Sequence, residues 1–321
     1  MTPVPLLDLT AQYETLREPL DAAVAEVVAS QRFVMGPGVE SFEAEMAEYL
    51  SVPHAIGCAS GTDALLLPLK AMDPRPEDEV IVPAFTFFAT AGAAWNSGFR
   101  PVFCDVEPDT FNVSARTLEA AWTERTRAIV PVHLFGQMAP MSEINALAIA
   151  RGALVLEDAA QAVGARQRLE GPASRDGWTM AGAAGTVGAF SFFPTKNLGG
   201  FGDGGLMTTA DPEIADRLSK IRLHGGRQMY HHEMVGTNSR LDALQAAVLS
   251  VKLPHLDGWA EARGANACTY HGALQGIPEV RLPDTTEGNH HVYNQYTLRV
   301  ERRDELREFL NDRGIGSGVY Y

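Results

Sequence analysis

The chain has 321 residues, with 40 Asp+Glu against 26 Lys+Arg and a formal net charge of −14. At about 100–200 residues per domain that length suggests two domains or one large one, and 45% hydrophobic residues supply a buried core and exclude disorder as the main state. The acidic balance argues against nucleic acid or an anionic membrane surface as a partner, because the long-range field repels phosphate, although a local basic pocket remains compatible with it. Cys58, Cys104 and Cys268 are too few and too scattered for a disulfide framework or a cysteine-based zinc site. The Met1–Asp8 stretch lacks the basic start and apolar core of a signal peptide, and no apolar run is long enough to span a bilayer. The expectation is a cytoplasmic globular protein.

In chain order, Ala55–Cys58 reads as the first short buried strand, followed by a helix that begins at the Ser60-Gly61-Thr62-Asp63 turn. Pro68 is expected to kink that helix by removing one backbone donor. Further strands are expected at Glu79–Val82, Pro101–Asp105 and Ala128–His133. A helix follows over Pro140–Ala150, with Pro at its start and Gly152 just past its end. Three more strands are expected at Ala153–Asp158, Val187–Phe193 and Gly205–Thr209. Seven short apolar segments bounded by Gly, Pro or Asp and separated by helical stretches indicate an α/β domain with a mostly parallel sheet and helices on both faces. After Gly236 the pattern changes: Ser239–Leu253 reads as a linking helix, then strand-like Tyr296–Val300 precedes helical Arg303–Asn311. The expected division is a large domain over residues 1–250 and a smaller α+β domain over 251–321.

The segment Ser191 to Gly205 carries the strongest chemical signal. Lys196 follows a buried aromatic strand and precedes a run of glycines. Phe192, Phe193 and Pro194 give it an apolar setting, and desolvation lowers a lysine towards the free amine that Schiff-base chemistry needs. Gly200-x-Gly202-x-x-Gly205 matches a dinucleotide fingerprint by spacing, but it leads into a strand rather than a helix, so that reading is rejected. Asp158 ends the Leu154–Asp158 run, where ligands bind in open α/β sheets. It can cap a helix, or pair with a protonated ring nitrogen as a pyridoxal cofactor requires; the two roles are compatible. Ser60, Gly61, Thr62 and Asp63 form a small polar turn before a helix, suited equally to ordinary capping and to cradling a phosphate.

These motifs identify a resemblance. The chain is similar to the DegT/DnrJ/EryC1/StrS sugar aminotransferases, which are fold-type-I enzymes dependent on pyridoxal 5′-phosphate (PLP). The resemblance runs from Pro5-Leu6-Leu7-Asp8-Leu9 to the last residue. Its signatures are Gly61–Leu65, Pro83–Thr90, Pro131–Gln137, Glu157–Gln161, Ser191–Gly205 and Gly236–Asp242, in that order. It implies Lys196 as the Schiff-base lysine and proton shuttle, Asp158 as the ring-nitrogen partner, and Gln161 as the partner of the ring hydroxyl. Phe87 would stack on the ring, while Gly61, Thr62, Asp63 and Ser191 would hold the phosphate. Asn238 would reach the phosphate of a neighbouring subunit, which implies a homodimer with shared active sites. The amino donor by the same analogy is glutamate and the acceptor a nucleotide-linked keto sugar.

His232, Arg240 and Tyr320 are candidate substrate contacts. Arg240 is read equally as a structural ion-pair residue, and His133 as a satisfied core histidine. His231-His232 and His290-His291 do not read as metal sites, because adjacent side chains point apart and no carboxylates join them at ligand spacing. Cys58 and Cys104 read as small core residues. Three features depart from the family pattern. Arg166–Met180 is longer than the compact family loop, and position 294 is Asn where many relatives have His. The chain also stops at Tyr321 where relatives run on, so a truncated small domain with exposed apolar surface is expected. Family dehydratases replace the lysine by histidine, and Lys196 argues against that chemistry; the alternatives are another PLP-dependent activity on the same fold, a lyase or a sugar dehydratase, or a non-catalytic PLP-binding relative.

Overall fold

Alternating strand residues sort this chain into two apolar layers, one on each face of a central sheet. The computed structural model describes residues 3–228 and 230–321; Met1 and Thr2, at the start of the stretch read for a signal peptide, lie outside the described residues. The elements run α1 (Leu9–Ser30), α2 (Pro37–Leu50), β1 (His54–Cys58), α3 (Gly61–Lys70), β2 (Glu79–Pro83), α4 (Ala89–Ser97), β3 (Arg100–Cys104) and α5 (Ala115–Ala120). Then come β4 (Thr126–Ile129), α6 (Met141–Arg151), β5 (Leu154–Asp158), β6 (Arg166–Arg168), β7 (Trp178–Met180), β8 (Val187–Ser191), β9 (Gly205–Thr209) and α7 (Pro212–Ile221). The chain closes with α8 (Ala243–Lys252), α9 (Leu256–Leu274), β10 (Val280–Arg281), β11 (Asn289–His290), β12 (Arg299–Val300) and α10 (Arg303–Asn311).

The central sheet has seven strands in the order β3-β2-β4-β5-β8-β9-β1, and β9 alone runs against the rest. Side chains alternate between faces. Ile81, Ile129, Val155, Phe190 and Leu206 join α2, α6 and α8 in one apolar layer. Val80, Val82, Ala128, Leu156, Val187, Ala189 and Met207 join α3, α4 and α7 in the other. These are the seven expected strands, displaced by a few residues at their ends. The rejected dinucleotide reading agrees with the structure, since Gly205 opens β9 and no helix follows the glycines.

Three details differ from the sequence reading. Pro68 does not interrupt α3, because it sits in the last turn and a missing bond there leaves the preceding turns intact. The linking helix starts at Ala243 rather than Ser239: the Asp242 carboxylate accepts from the Gln245 N–H at 2.9 Å and fixes the N-terminus there. The long Arg166–Met180 stretch forms the β6–β7 hairpin, to which β11 adds a third, antiparallel strand. In the last segment β10 pairs with β12, and α10 has no buried residue.

The antiparallel β9 pairs along its length with β1 and β8, and its first residue, Gly205, stands opposite both Cys58 and Ser191. A Cβ on Gly205 would stand 2.3 Å from the Ser60 carbonyl oxygen. Gly205→Ala is therefore expected to cost about 1–3 kcal/mol by overpacking. Gly264→Ala, in the interior of α9 with open space around it, is expected to add about 0.5–1 kcal/mol by helix propensity. Urea unfolding of the two variants tests the opposite signs.

Candidate active site

Parallel strands gather their carboxyl ends on one edge of the sheet, and the expected site residues lie along that edge. Glu157 and Asp158 close β5 and, being adjacent in a strand, face opposite sides of the sheet. Glu157 is fully buried and accepts four hydrogen bonds: His133 Nε2 at 2.8 Å and the N–H groups of Gly182, Ala184 and Gly185 at 2.9, 2.9 and 2.6 Å. His133 Nδ1 accepts from the Ala139 N–H at 3.2 Å, so Nε2 carries the proton that Glu157 receives. His133 is thus the satisfied core histidine expected.

Asp158 is also buried but has fewer partners. Its Oδ2 accepts from the Thr90 hydroxyl at 2.8 Å and its Oδ1 from the Ala160 N–H at 3.2 Å. Burial pushes this carboxyl up from its ordinary value, and the Thr90 and Ala160 hydrogen bonds and the charge of Lys196 oppose that rise. A carboxylate offers about four lone-pair positions. Two on Asp158 have no donor among the described residues.

Lys196 lies in the turn after β8, its N–H bonded to the Phe193 carbonyl at 2.9 Å. Burial lowers the amine below its ordinary value, and the charge of Asp158 partly offsets this. The Nζ makes no hydrogen bond or ion pair among the described residues. Two residues of α8 hold the glycine loop beyond it: Gln245 Oε1 accepts from the Phe201 N–H at 2.7 Å, and Lys252 Nζ donates to the Gly199 carbonyl at 2.7 Å.

At the N-terminus of α3 the Ser60 hydroxyl accepts from the Asp63 N–H at 3.1 Å. The N–H groups of Gly61 and Thr62 have no acceptor among the described residues, and these orphan donors carry the positive end of the helix dipole. Ser191 packs so closely on Gly61 that a Cβ there would come within 2.5 Å of it. Asp63 accepts from the Ser239 hydroxyl at 2.7 Å, which ties the Gly236–Asp242 turn to this cradle. Beside it, Phe87 is exposed, and Phe85, Phe111, Phe135, Tyr320 and Tyr321 form an aromatic layer. Gln161 links that layer to β5: its Oε1 accepts from the Phe135 N–H at 2.6 Å, and its Nε2 donates to the Tyr321 hydroxyl at 2.5 Å.

Residues 14–321 match the model of the DegT/DnrJ/EryC1/StrS aminotransferase family. The chain belongs to this family. It is 48% identical over 320 residues to a pleiotropic regulatory protein of Geobacillus stearothermophilus, covering 99% of this chain and 84% of the relative. It is 47% identical over 318 residues to a dTDP-3-amino-3,4,6-trideoxy-alpha-D-glucose transaminase of Streptomyces venezuelae, covering 99% and 82%. Among solved structures, S. venezuelae DesV in complex with a ketimine intermediate superposes with a TM-score of 0.95 at 47% identity, over 100% of this chain and 84% of that one. Bacillus subtilis ntda with bound cofactor PMP gives 0.89 at 30% identity, over 100% and 73%.

Against the family pattern, the structure brings Gly61, Thr62, Asp63, Ser191, Asp158, Gln161 and Lys196 to one end of the sheet. Asn238 and His232 are exposed, on the stretch leading into that turn. Arg240 is half-buried and forms no ion pair among the described residues, which removes the structural ion-pair reading within this chain. Thr90, Ser239 and Tyr321 were given no role from the sequence. Thr90 had a usable signal, since it closes the Pro83–Thr90 signature three residues after Phe87.

No group of three or more His, Cys, Asp or Glu side chains among the described residues could hold a metal ion. His291 is buried, accepts from the Tyr293 N–H at 3.0 Å and stacks on the Tyr293 ring at 3.9 Å. Burial pushes its imidazole down to about 4 from 6.5. The folded chain therefore keeps the ring neutral, while the unfolded chain takes up a proton below about pH 6.5. The contribution is present above pH 6.5 and is lost as pH falls to about 4, and its size is about 3 kcal/mol. Urea midpoints at pH 7 and pH 4 should converge less steeply on acidification in His291→Gln than in the wild type.

Proposed function

We propose that this chain is a PLP-dependent aminotransferase that moves an amino group from an amino acid, glutamate by family analogy, to a nucleotide-linked keto sugar. The observation that carries the reading is the contrast at the end of β5. Glu157 has all its acceptor positions filled, whereas buried Asp158 keeps positions open near an amine that has no partner. A buried carboxylate in that state suits a cationic N–H, and a desolvated free amine suits a carbonyl carbon.

The residues fit the cofactor. Asp158 would receive the protonated ring nitrogen. Gln161 Nε2 has a second N–H beyond the one donated to Tyr321, and this is suited to the ring hydroxyl. Phe87 would cover the ring face. The orphan N–H groups of Gly61 and Thr62, with Asp63 and Ser191 beside them, would cradle the phosphate. When bound, PLP supplies an electron sink for charge developing on the substrate's α-carbon. Lys196 Nζ would hold the aldehyde carbon of the cofactor, and its free amine would serve as general acid and base. His232, Arg240 and Tyr320 are proposed substrate contacts.

Two copies would share their sites, Asn238 of each reaching the phosphate of the other. The exposure of Asn238 and of Phe88, Trp95 and Phe103 supports a covering partner. Residues 1–250 would form the cofactor domain and 251–321 a smaller one. No helix among the described residues is long and apolar enough to cross a membrane. The proposed substrates, a nucleotide-linked sugar and an amino acid, support the cytoplasm as the place of action.

Borohydride treatment of PLP-loaded protein should leave a phosphopyridoxyl group on Lys196, detected by peptide mass, and none in Lys196→Ala. With glutamate and a panel of nucleotide keto sugars, the wild type should release 2-oxoglutarate with at least one acceptor. Lys196→Ala should be slower by about 10²–10⁴-fold or more. A wild type that takes up no PLP, or that releases no 2-oxoglutarate with any acceptor, overturns the reading.

A further inference from the structure

Thr90 stands at the second position of α4, where a threonine ordinarily bonds to the nearby backbone. Here its hydroxyl turns away from the helix and donates to Asp158 Oδ2 at 2.8 Å. Both groups are buried, Thr90 to 1% exposure. Thr86 Oγ1 lies 3.1 Å from Thr90 Oγ1. The ionised carboxylate can only accept, so the Thr90 proton is committed to Asp158 and the Thr86 hydroxyl must donate to Thr90. The two hydroxyls and the carboxylate form a chain with one direction, in which each bond polarises the next. The N-terminal end of α4 adds positive potential on the same side.

We propose that Thr90 is a positioning residue for the ring-nitrogen contact, and that the Thr86–Thr90 hydroxyl pair keeps Asp158 oriented as a carboxylate acceptor with its open positions turned to a protonated heteroaromatic nitrogen. This rests on the reading of Asp158 given above. One five-residue stretch would then serve two sides of the cofactor, Phe87 at the ring face and Thr90 behind the ring nitrogen. Thr90 touches neither cofactor nor substrate; it acts through Asp158.

The test measures PLP binding to cofactor-stripped protein by spectral titration, beside an analogue in which C–H replaces the ring nitrogen. Thr90→Val keeps shape and branching but removes the donor, and is expected to weaken PLP about tenfold or more, the scale for losing a hydrogen bond to a charged group. Thr90→Ser, which keeps the hydroxyl, should stay within about twofold of the wild type. Against the analogue, Thr90→Val should show no comparable loss, because a C–H has no use for the carboxylate charge. Thr86→Val, which removes only the outer hydroxyl, should weaken PLP less than Thr90→Val and serves if the latter fails to fold. An unchanged affinity in Thr90→Val, or an equal loss against PLP and the analogue, overturns the proposal while leaving the aminotransferase reading standing. A wild type that binds no PLP overturns both.

Discussion

The site depends on the burial of two neighbouring carboxylates at the end of β5. An ionised carboxylate removed from water costs several kcal/mol unless donors replace its hydration. Glu157 meets that demand from one side of the sheet with His133 and three backbone N–H groups. Those same bonds fix the Gly182–Gly185 turn and therefore the start of β8, the strand that delivers Ser191 and Lys196. Asp158, on the other side, is only half supplied. The bonds that satisfy the first carboxylate also hold the strand end that carries the second.

Strain around the site is localised in a way that serves the same end. Phe111 and Phe135 both hold φ near +60°, a region that costs a bulky residue about 1–3 kcal/mol. Their rings pack edge to face at 5.7 Å. The side chain of Asn112 accepts from the Leu134 N–H at 3.0 Å and donates to the Gln137 carbonyl at 3.0 Å. Gln161 takes the Phe135 N–H. These bonds over-determine a turn the backbone would not choose alone, and they place an aromatic wall beside Gln161 and Asp158.

Much of this was legible in the sequence because the strands are buried on both faces. Val80–Val82 and Leu154–Leu156 read as continuous apolar runs, and their ends were wrong only by the residues that turns claim. Asp158 stood out because it ends a strand, and Lys196 because it follows the apolar Phe192-Phe193-Pro194 run and precedes the glycines. Other parts depend on distant partners. The three-residue strands β6 and β7 pair with each other, and β6 pairs on its other edge with Asn289–His290, more than a hundred residues away; no local pattern announces that. α9 buries only Leu256, Ala260 and Ala267, too thin a stripe to show as a helical period. The Pro83–Thr90 signature marks the position of Thr90 but not the partner of its hydroxyl, because Asp158 stands 68 residues away in the chain.

The lysines repeat the logic of the carboxylates. Lys252 is 3% exposed, and burial lowers it as burial lowers Lys196. Yet Lys252 has an acceptor in the Gly199 carbonyl at 2.7 Å and lies over the Phe201 ring at 5.0 Å. It spends its charge on holding the glycine loop. Lys196, three residues before Gly199, has no such contact. Burial alone does not separate a fully bonded ion from one with bonding capacity to spare, because desolvation acts on all four groups. What separates them is the unfilled remainder: Glu157 and Lys252 are bonded where they stand, and Asp158 and Lys196 retain hydrogen-bonding capacity that no described residue fills.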